Sequence, residues 1–170
     1  ACAAYIKNYY KSLLHNTAVP AELNSFTQNV FDLCDYLVNV KNITKLNNHF
    51  NGRVFYYKSC SARNSYKLDQ EPEILLKNTE GLELLIDPEC NTCCSANGAL
   101  AGANPDLSDK MLEDIVLRMY HSGAQYITST DIHCLQHIDA FLSTVDLNVE
   151  VVHIADILNN ELKAPYIIQP

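Results

Sequence analysis

The sequence predicts an α/β domain with an open, mostly parallel sheet and helices on both faces, preceded by an N-terminal helical segment. Short apolar segments rich in β-branched and aromatic residues alternate with helical patterns over residues 51–170. This alternation is typical of parallel sheets, whose strands are covered on both sides. The chain has 170 residues, which is enough for one core of this kind. We therefore divide it into a helical segment over residues 1–50 and a sheet domain over residues 51–170.

The N-terminal segment is predicted to be helical over residues 3–46, with an Asn-rich loop over residues 39–51. Pro20 is a favourable first-turn residue and opens the second half of the segment. Apolar residues then recur at the spacing of one helix face: Leu23, Phe26, Val30, Leu33 or Cys34, and Leu37. On this pattern, Cys34 is expected to be a buried core residue.

The sheet domain is predicted to contain strands over residues 53–57, 82–86, 126–129 and 149–154. Helices are predicted over residues 71–79, from Pro105 to Gly123, near 132–143 and near 155–163. Asn104 is expected to cap the helix that starts at Pro105, and Gly123 is expected to end it. The buried face of that helix is expected to contain Leu107, Met111, Ile115 and Met119. A loop of small residues, Gly and Asn occupies residues 89–105.

Cysteines follow three of these strands. Cys60 follows the first strand, Cys93 and Cys94 follow the second, and Cys134 follows the third. Because the carboxyl ends of parallel strands lie at one edge of a sheet, these thiols are expected to converge where open α/β folds bind ligands. Such a set of soft thiolates suits an iron–sulfur cluster or zinc. The small-residue loop over 95–103 would let backbone N–H groups approach cluster sulfides.

The remaining cysteines and the histidines leave alternatives open. An odd total of seven Cys argues against a secreted disulfide framework and for a reduced compartment. Cys90 forms a C-x-x-C with Cys93 and is a further candidate ligand, although a buried Cys often acts only as a small hydrophobic residue. His133 and His137 lie one helical turn apart and are either zinc ligands or solvated residues. His153 is expected to be a hydrogen-bonded core or edge residue.

Composition and absent motifs exclude several functions. A net charge of −8 leaves no excess of Lys and Arg to neutralise phosphates, which argues against nucleic-acid binding. No apolar run approaches the roughly 18 residues of a membrane helix, so no transmembrane segment and a cytoplasmic location are predicted. Neither a Gly-rich nucleotide loop nor a nucleophile elbow is present in the sequence. The tyrosine pairs at 9–10 and 56–57 are expected to be packing residues.

Several linked segments resemble the cysteine-rich CCG domain and, within it, the lactate utilization protein A family. They are YYKSC (56–60), EGLELL (80–85), CCSANG (93–98), SGAQYITSTDIHCLQHI (122–138) and HIADIL (153–158). The CCG domain also occurs in heterodisulfide reductase and in the iron–sulfur component of glycolate oxidase. The opening ACAAYIKNYY resembles the stretch that closes the first of two CCG motifs in such proteins. On this resemblance, the chain would be a C-terminal half, and Cys2 would be the last ligand of an upstream motif.

The resemblance implies an iron–sulfur-binding electron-transfer subunit of a complex that oxidises a 2-hydroxy acid, L-lactate, to pyruvate. The cluster would be held by Cys60, Cys93, Cys94 and Cys134, and the chain would be a component of an oxidoreductase rather than an enzyme alone. Its partners would be other lactate-utilization subunits, ferredoxin-like and flavin- or quinone-linked, which could hold it at the inner membrane. A heterodisulfide-reductase-like or glycolate-oxidase-like redox subunit is an alternative.

Departures from the family pattern bear on the type of cluster. Ser95 stands where the family has a Gly after the Cys pair, and Tyr57-Lys58 stand where it has His-Asp. Asp131-x-x-Cys134 replaces the terminal C-x-x-C of heterodisulfide reductase. The four remaining thiolates favour a [4Fe–4S] cluster over the non-cubane form, with Asp131 as a further candidate oxygen ligand or hydrogen-bond acceptor.

A non-redox function is an alternative that involves the same four cysteines. Zinc on these thiolates, or a disulfide between Cys93 and Cys94, would stabilise a protein-interaction domain without redox activity. Iron, sulfide and zinc content would distinguish the two classes. Aerobic purification can oxidise exposed thiols and leave the protein without its cofactor, so the comparison requires anaerobic material.

Overall fold

The computed structural model describes residues 2–16, 20–96, 99–145 and 147–160. These residues form a four-stranded sheet of β1 (His49–Tyr56), β2 (Glu80–Leu85), β3 (Tyr126–Ser129) and β4 (Glu150–His153). The strand order is β2-β1-β3-β4, and the strands pair in parallel. The predicted fold class is therefore confirmed. The chain moves from β1 to β2 on one side and later to β3 on the other, which makes a topological switch point beside β1.

The described part of the chain contains eight helices: α1 (Cys2–Leu13), α2 (Pro20–Gln28), α3 (Leu33–Asp35), α4 (Glu71–Lys77), α5 (Ala99–Ala103), α6 (Pro105–His121), α7 (Ile132–Leu142) and α8 (Ile154–Leu158). A π-helical turn over Tyr36–Val40 continues α3, and another over Ser61–Tyr66 follows Cys60. Apolar residues of α6 and α7 pack on one face of the sheet, and those of α4 and α8 pack on the other.

Side chains of β1 alternate between the two faces and divide the core into two layers. Phe55 packs with the apolar residues of α6 and α7, whereas Val54 and Tyr56 pack with those of α4 and α8. The ladder continues past the end of β1, because the Tyr57 N–H donates to the Thr128 carbonyl at 2.8 Å. Tyr57 therefore joins the same core layer as Phe55 and extends the sheet geometry toward Cys60.

Helix α6 begins and ends as predicted but buries a different face. The Asn104 side chain accepts a hydrogen bond from the Leu107 N–H at 3.2 Å, and Gly123 follows the helix with a φ of +74°. The buried residues are Ser108, Leu112, Ile115, Val116 and Met119. Leu107, predicted to be buried, is 44% exposed, and Met111 is half-buried. The predicted residues and the observed buried residues both recur at helical spacing. Because α6 packs against both the sheet and α7, the observed set is the one that is buried.

The N-terminal segment is helical, but not continuously as the spacing predicted. Helix α2 ends at Gln28, and Asp32 caps the separate helix α3 by accepting a hydrogen bond from the Cys34 N–H at 2.9 Å. A capping Asp favours a new helix start, because its carboxylate satisfies a backbone donor of the first turn. Phe26, predicted on the buried face, is 50% exposed, while Cys34 is fully buried as predicted.

The structure also differs from the predicted loops. Strand β1 begins at His49, inside the predicted loop over 39–51, because His49 pairs with Glu80 of β2. Helix α5 lies within the predicted small-residue loop, of which residues 97 and 98 are outside the described residues. The last described helix ends at Leu158, and the predicted continuation to 163 falls partly outside the described residues.

Within the described ranges, no helix combines the length and apolar character needed to cross a membrane.

Candidate metal centre

The predicted thiols gather at the carboxyl edge of the sheet. Cys60 follows β1 and precedes the π-helical turn, and the Cys93-Cys94 loop follows β2. Cys134 lies in the first turn of α7, directly after β3. Because β2, β1 and β3 are neighbours and parallel, these three segments meet at one place. This place is the topological switch point, where open α/β sheets bind their ligands.

The four sulfurs form two pairs. In the outer pair, the Cys60 and Cys93 sulfurs lie 3.2 Å apart, and both residues are half-buried. In the inner pair, Cys94 and Cys134 share a side-chain hydrogen bond, and each is only 1% exposed. The inner pair is therefore sealed in the core, and the outer pair faces the surface.

The pairing controls the protonation of the thiols. The hydrogen bond within the inner pair lowers the pKa of Cys94 and, with burial, raises the pKa of Cys134 far above its ordinary value. Cys94 therefore loses its proton before Cys134 does. Burial, followed by the hydrogen bond and charge of Cys93, raises the pKa of Cys60 to about 11. Cys60 and Cys134 are thus protonated at neutral pH and must release protons to bind a metal.

The Cys93-Cys94 loop is held by side chains from the neighbouring segments. Arg63, in the π-helical turn after Cys60, donates to the Asn91 side-chain oxygen at 2.5 Å and to the Asn91 carbonyl at 2.8 Å. The Thr92 hydroxyl donates to Asp114 of α6 at 2.5 Å. The Cys94 carbonyl lies 2.7 Å from Nδ1 of His137, on α7. Each segment that carries a cysteine is therefore tied to the loop by its own contact.

Arg118 of α6 adds an ionic contact to the start of this loop. Its guanidinium donates to Asp87 at 2.9 Å and to Asp114 at 3.2 Å. The hydrogen bond from Arg118 lowers the pKa of Asp87 from its ordinary value. Asp114 in turn accepts the hydrogen bond from Thr92, so the loop, α6 and Arg118 form one polar network.

Tyr57 is buried close to the four thiols. Its side chain is fully buried, and its hydroxyl donates to the Thr92 carbonyl at 2.9 Å. Burial raises the pKa of Tyr57 far above its ordinary value, and the nearby Cys94, Cys134, Cys93 and Cys60 raise it further. The phenol therefore remains a neutral hydrogen-bond donor. Tyr57 was expected only to pack in the core, but its hydroxyl also holds the Thr92 carbonyl.

Ser95, which stands where the family pattern has Gly, adopts the left-handed conformation with a φ of +56°. Its buried hydroxyl donates to the Cys94 carbonyl at 2.7 Å and lies 2.5 Å from the Ser108 hydroxyl of α6. Its backbone N–H donates to the Cys93 sulfur at 3.4 Å. The side chain therefore does not prevent the backbone from approaching a sulfur.

Asp131, the candidate oxygen ligand, caps the helix that carries Cys134. Its side chain is 2% exposed and accepts a hydrogen bond from the His133 N–H at 3.2 Å. Its charge acts on both thiols of the inner pair. These contacts place Asp131 beside the thiols and give it a structural role at the start of α7.

Cys2, the candidate ligand of an upstream motif, is exposed on α1. It lines a cavity of about 610 Å³ together with Cys60 and His133. Tyrosines of the same helix also line this cavity, namely Tyr5, Tyr9 and Tyr10. The structure therefore brings Cys2 to the same side of the molecule as the outer pair.

Cys90 and Cys34 lie apart from this edge cavity. Cys90 is buried in the core layer of α6 and α7, and burial raises its pKa to about 11. Cys34 is buried in the opposite layer, with α4 and α8. Both residues serve as small core residues in the structure.

The histidines have local roles. One ring nitrogen of His137 is occupied by the Cys94 carbonyl, so this side chain supports the loop. His153 caps α8 by accepting a hydrogen bond from the Ala155 N–H at 3.2 Å, and burial lowers its pKa. His133 lines the 610 Å³ cavity beside Cys60.

The donor set is suitable for a thiolate-bound metal group, although the sulfurs are not spaced for one ion. Among the described residues, no three His, Cys, Asp or Glu side chains are arranged to hold a metal ion as they stand. Sulfurs on one tetrahedral zinc, with bonds of about 2.3 Å, lie about 3.8 Å apart. The outer pair is closer, at 3.2 Å, because the two thiols hydrogen-bond to each other. Rotation about the Cα–Cβ bonds of Cys60 and Cys93 would separate them.

The roles of the residues that position the cysteines were not predicted from the sequence, in which His137 was considered only as a zinc ligand or a solvated residue. Arg63, Arg118 and His137 bind backbone or side-chain groups of a loop distant in sequence. No motif marks such residues. The only sequence signal was indirect, because Arg63 and His137 each follow a cysteine by about one helical turn.

The fold and the site define a cysteine-rich α/β domain whose thiols meet at the carboxyl edge of a parallel sheet. Residues 54–139 match the family described as CCG, cysteine-rich domain. The chain belongs to this family.

Relatives that span most of the chain confirm the resemblance to lactate utilization protein A. The protein of that name from Bacillus pumilus (strain SAFR-032) is 25% identical over 160 residues, which cover 94% of this chain and 67% of the relative. Lactate utilization protein A of Macrococcus caseolyticus (strain JCSC5402) is 28% identical, with 96% and 67% covered. Uncharacterized protein YkgE of Escherichia coli (strain K12) is 28% identical, with 93% and 66% covered. The chain thus spans about two thirds of these relatives.

Proposed function

We propose that the chain is an iron–sulfur-binding electron-transfer subunit of a complex that oxidises a 2-hydroxy acid, with L-lactate as that acid. The observation that carries this proposal is the meeting of two thiol pairs at the switch point of a parallel sheet. Thiolates are the usual ligands of iron–sulfur clusters. The names of the relatives connect this family with lactate utilization.

In this proposal Cys60, Cys93, Cys94 and Cys134 ligate the cluster, which is of the [4Fe–4S] type. When bound, such a cluster supplies reversible one-electron transfer. The inner pair anchors it in the core, where water is excluded. The Ser95 N–H, which already donates to the Cys93 sulfur, supports the added negative charge.

The outer pair is the side on which electrons enter and leave. Cys60 is half-buried and adjoins the 610 Å³ cavity, whereas the inner pair is sealed. A ferredoxin-like or a flavin- or quinone-linked partner would therefore approach beside Cys60. The chain acts as a component of an oxidoreductase, in the cytoplasm or held at the inner membrane by such partners.

Anaerobic reconstitution of the chain with iron and sulfide tests the proposal. We expect a brown species that dithionite bleaches, with iron and sulfide bound in the stoichiometry of one cluster. Tight stoichiometric zinc with no chromophore would overturn the proposal in favour of a zinc-stabilised interaction domain. Growth of a strain that lacks the gene, on L-lactate and on glycolate, shows which of the two acids the complex oxidises.

Metal binding to the cofactor-free chain is expected to strengthen as the pH rises. The raised pKa of the Cys60 thiol, about 11, means that a metal must displace its proton throughout the neutral range. Each displaced proton makes the apparent affinity rise about tenfold per pH unit. Cadmium–thiolate absorption, titrated anaerobically at several pH values, measures this slope.

The control for the pH slope is Cys60→Ser, which removes one proton from the exchange. We expect a shallower slope in this variant than in the wild-type chain. A cadmium affinity that is independent of pH in the wild-type chain would contradict the prediction, since it would mean that the thiols are already ionised.

A further inference from the structure

The outer pair joins two cysteines that are distant in sequence. The Cys60 and Cys93 sulfurs lie 3.2 Å apart, although the residues are separated by 33 positions of the chain. A disulfide bond is about 2.05 Å long, so the two sulfurs need to approach by only about 1.2 Å to become bonded. Side-chain rotation moves a sulfur over such a distance. The outer pair therefore lies close to the geometry of a disulfide.

The outer pair is also accessible to small molecules. Both of its cysteines are half-buried, and Cys60 lines the cavity of about 610 Å³. In contrast, Cys94 and Cys134 are each only 1% exposed. A small oxidant therefore reaches the outer pair before it reaches the inner pair.

We propose that Cys60 and Cys93 are a site of oxidative modification, where a peroxide joins them in a disulfide that blocks metal binding. In the first step, one of the two sulfurs attacks hydrogen peroxide as its thiolate, becomes a sulfenic acid and releases hydroxide. In the second step, the neighbouring sulfur attacks the sulfenic acid, the S–S bond forms and water leaves. Overall, the two thiols lose two electrons and two protons, and the peroxide becomes two molecules of water.

The disulfide removes both outer residues from the set of metal ligands. The thiolate is the form of cysteine that binds a metal, and a disulfide sulfur is not a thiolate. The bond also holds the sulfurs at about half the separation that two ligands of one tetrahedral zinc have. Reduction of the bond by a dithiol restores both ligands. The effect on the loading of a cluster rests on the proposed function, whereas the disulfide itself does not.

The contacts of the loop favour this disulfide over one between the adjacent residues Cys93 and Cys94. The Cys94 carbonyl accepts a hydrogen bond from the Ser95 hydroxyl at 2.7 Å and lies 2.7 Å from Nδ1 of His137. The small ring that joins adjacent cysteines requires distortion of the peptide unit between them. The contacts of the Cys94 carbonyl oppose that change, whereas a bond from Cys93 to Cys60 leaves them in place.

Peptide mapping of the full chain tests the disulfide. The reduced, cofactor-free chain is treated under argon with equimolar hydrogen peroxide, its remaining thiols are alkylated, and trypsin cleaves it without reductant. Cleavage separates residues 59–63, which contain Cys60, from residues 78–110, which contain three cysteines. We expect these two peptides to be cross-linked, with fragmentation that assigns the bond to Cys93. We also expect the chain to lose two of its seven free thiols.

Serine substitutions at adjacent residues of the loop provide the matched comparison. We expect Cys93→Ser to form no cross-link to residues 59–63, and Cys94→Ser to form the same cross-link as the wild-type chain. Circular dichroism verifies that both variants are folded, and the wild-type map decides the result if either is not. A bond from Cys60 to Cys2, Cys90 or Cys94, or the absence of any cross-link, would overturn the inference and leave the proposed function standing.

Cadmium binding measures the effect of the disulfide on the metal site. Cadmium is the probe because the sulfide used to rebuild a cluster also reduces disulfides. We expect weaker cadmium–thiolate absorption in the oxidised chain, with recovery to the level of the reduced chain after treatment with dithiothreitol and its removal. Equal absorption in the oxidised and reduced chains would show that the disulfide does not block the site. Failure of the reduced chain to form a cluster would instead overturn the proposed function, and the peptide map would still decide the disulfide.

Discussion

Replacement of Cys134 by serine is expected to abolish the brown iron–sulfur chromophore, whereas Cys34→Ala is expected to retain it. Cys134 is 1% exposed and paired with Cys94, so neither solvent nor a surface side chain replaces its sulfur. Serine oxygen is a poor substitute for a soft thiolate ligand of iron. Iron and sulfide content after anaerobic desalting, with the visible spectrum, measures the loss.

Cys34→Ala is a matched control for core disruption. Cys34 is 0% exposed, as deeply buried as Cys134, but it lies in the layer of α4 and α8 on the opposite face of the sheet. Asp131→Asn is a second control, because asparagine preserves a cap for α7. Wild-type iron content in Cys134→Ser would contradict the assignment of this residue. Loss of the cluster from Asp131→Asn would instead make the carboxylate a ligand.

Truncation of Phe55 to alanine is expected to lower the free energy of unfolding by about 3–5 kcal/mol. Phe55 is 1% exposed near the carboxyl end of β1, and it packs in the layer that contains Ile115 and Met119 of α6. Its removal leaves a cavity beneath the segments that carry the cysteines. Urea denaturation of the cofactor-free, reduced chain, monitored by circular dichroism, gives the difference from the transition midpoint.

Leu117→Ala provides the comparison for Phe55→Ala. Leu117 lies on α6 but is 45% exposed, and alanine keeps a high helix propensity. We expect a change within about 0.5 kcal/mol for this surface substitution. An equal decrease in the free energy of unfolding of the two variants would contradict the layered core. It would mean that Leu117 of α6 is buried as deeply as Phe55 of β1.

The two cysteine pairs differ in burial: the inner pair lies in the core, and the outer pair is accessible from the surface. Cys94 and Cys134 lie in the core layer of α6 and α7, while Cys60 and Cys93 are half-buried at the surface. Under the proposed function, a redox group held by both pairs would be protected from water on the side of the inner pair and open to a partner on the side of the outer pair. The acidic net charge of −8 would favour a partner with a basic docking surface.

Much of the fold was predictable because its signals are local. The strand over 126–129 was predicted with its observed bounds, and Asn104 caps α6 as expected. Strand and cap signals depend on a few adjacent residues, which the sequence shows directly. Failures occurred where two local choices were equally consistent with the pattern. The buried face of α6 is an example, because one set of residues at helical spacing contains Leu107 and another contains Leu112.

The order of strands and cysteines along the sequence determined that the thiols follow strand ends, and parallel pairing then places them at one edge of the sheet. Which sulfur pairs with which was decided only by the tertiary structure. Cys93 contacts Cys60 and its neighbour Cys94 contacts Cys134, because adjacent side chains of the loop point in different directions. The same is true of Tyr57, whose hydroxyl meets Thr92 only after β1 and the loop after β2 come together. Such contacts depend on strand register and side-chain direction, which no local pattern in the sequence contains.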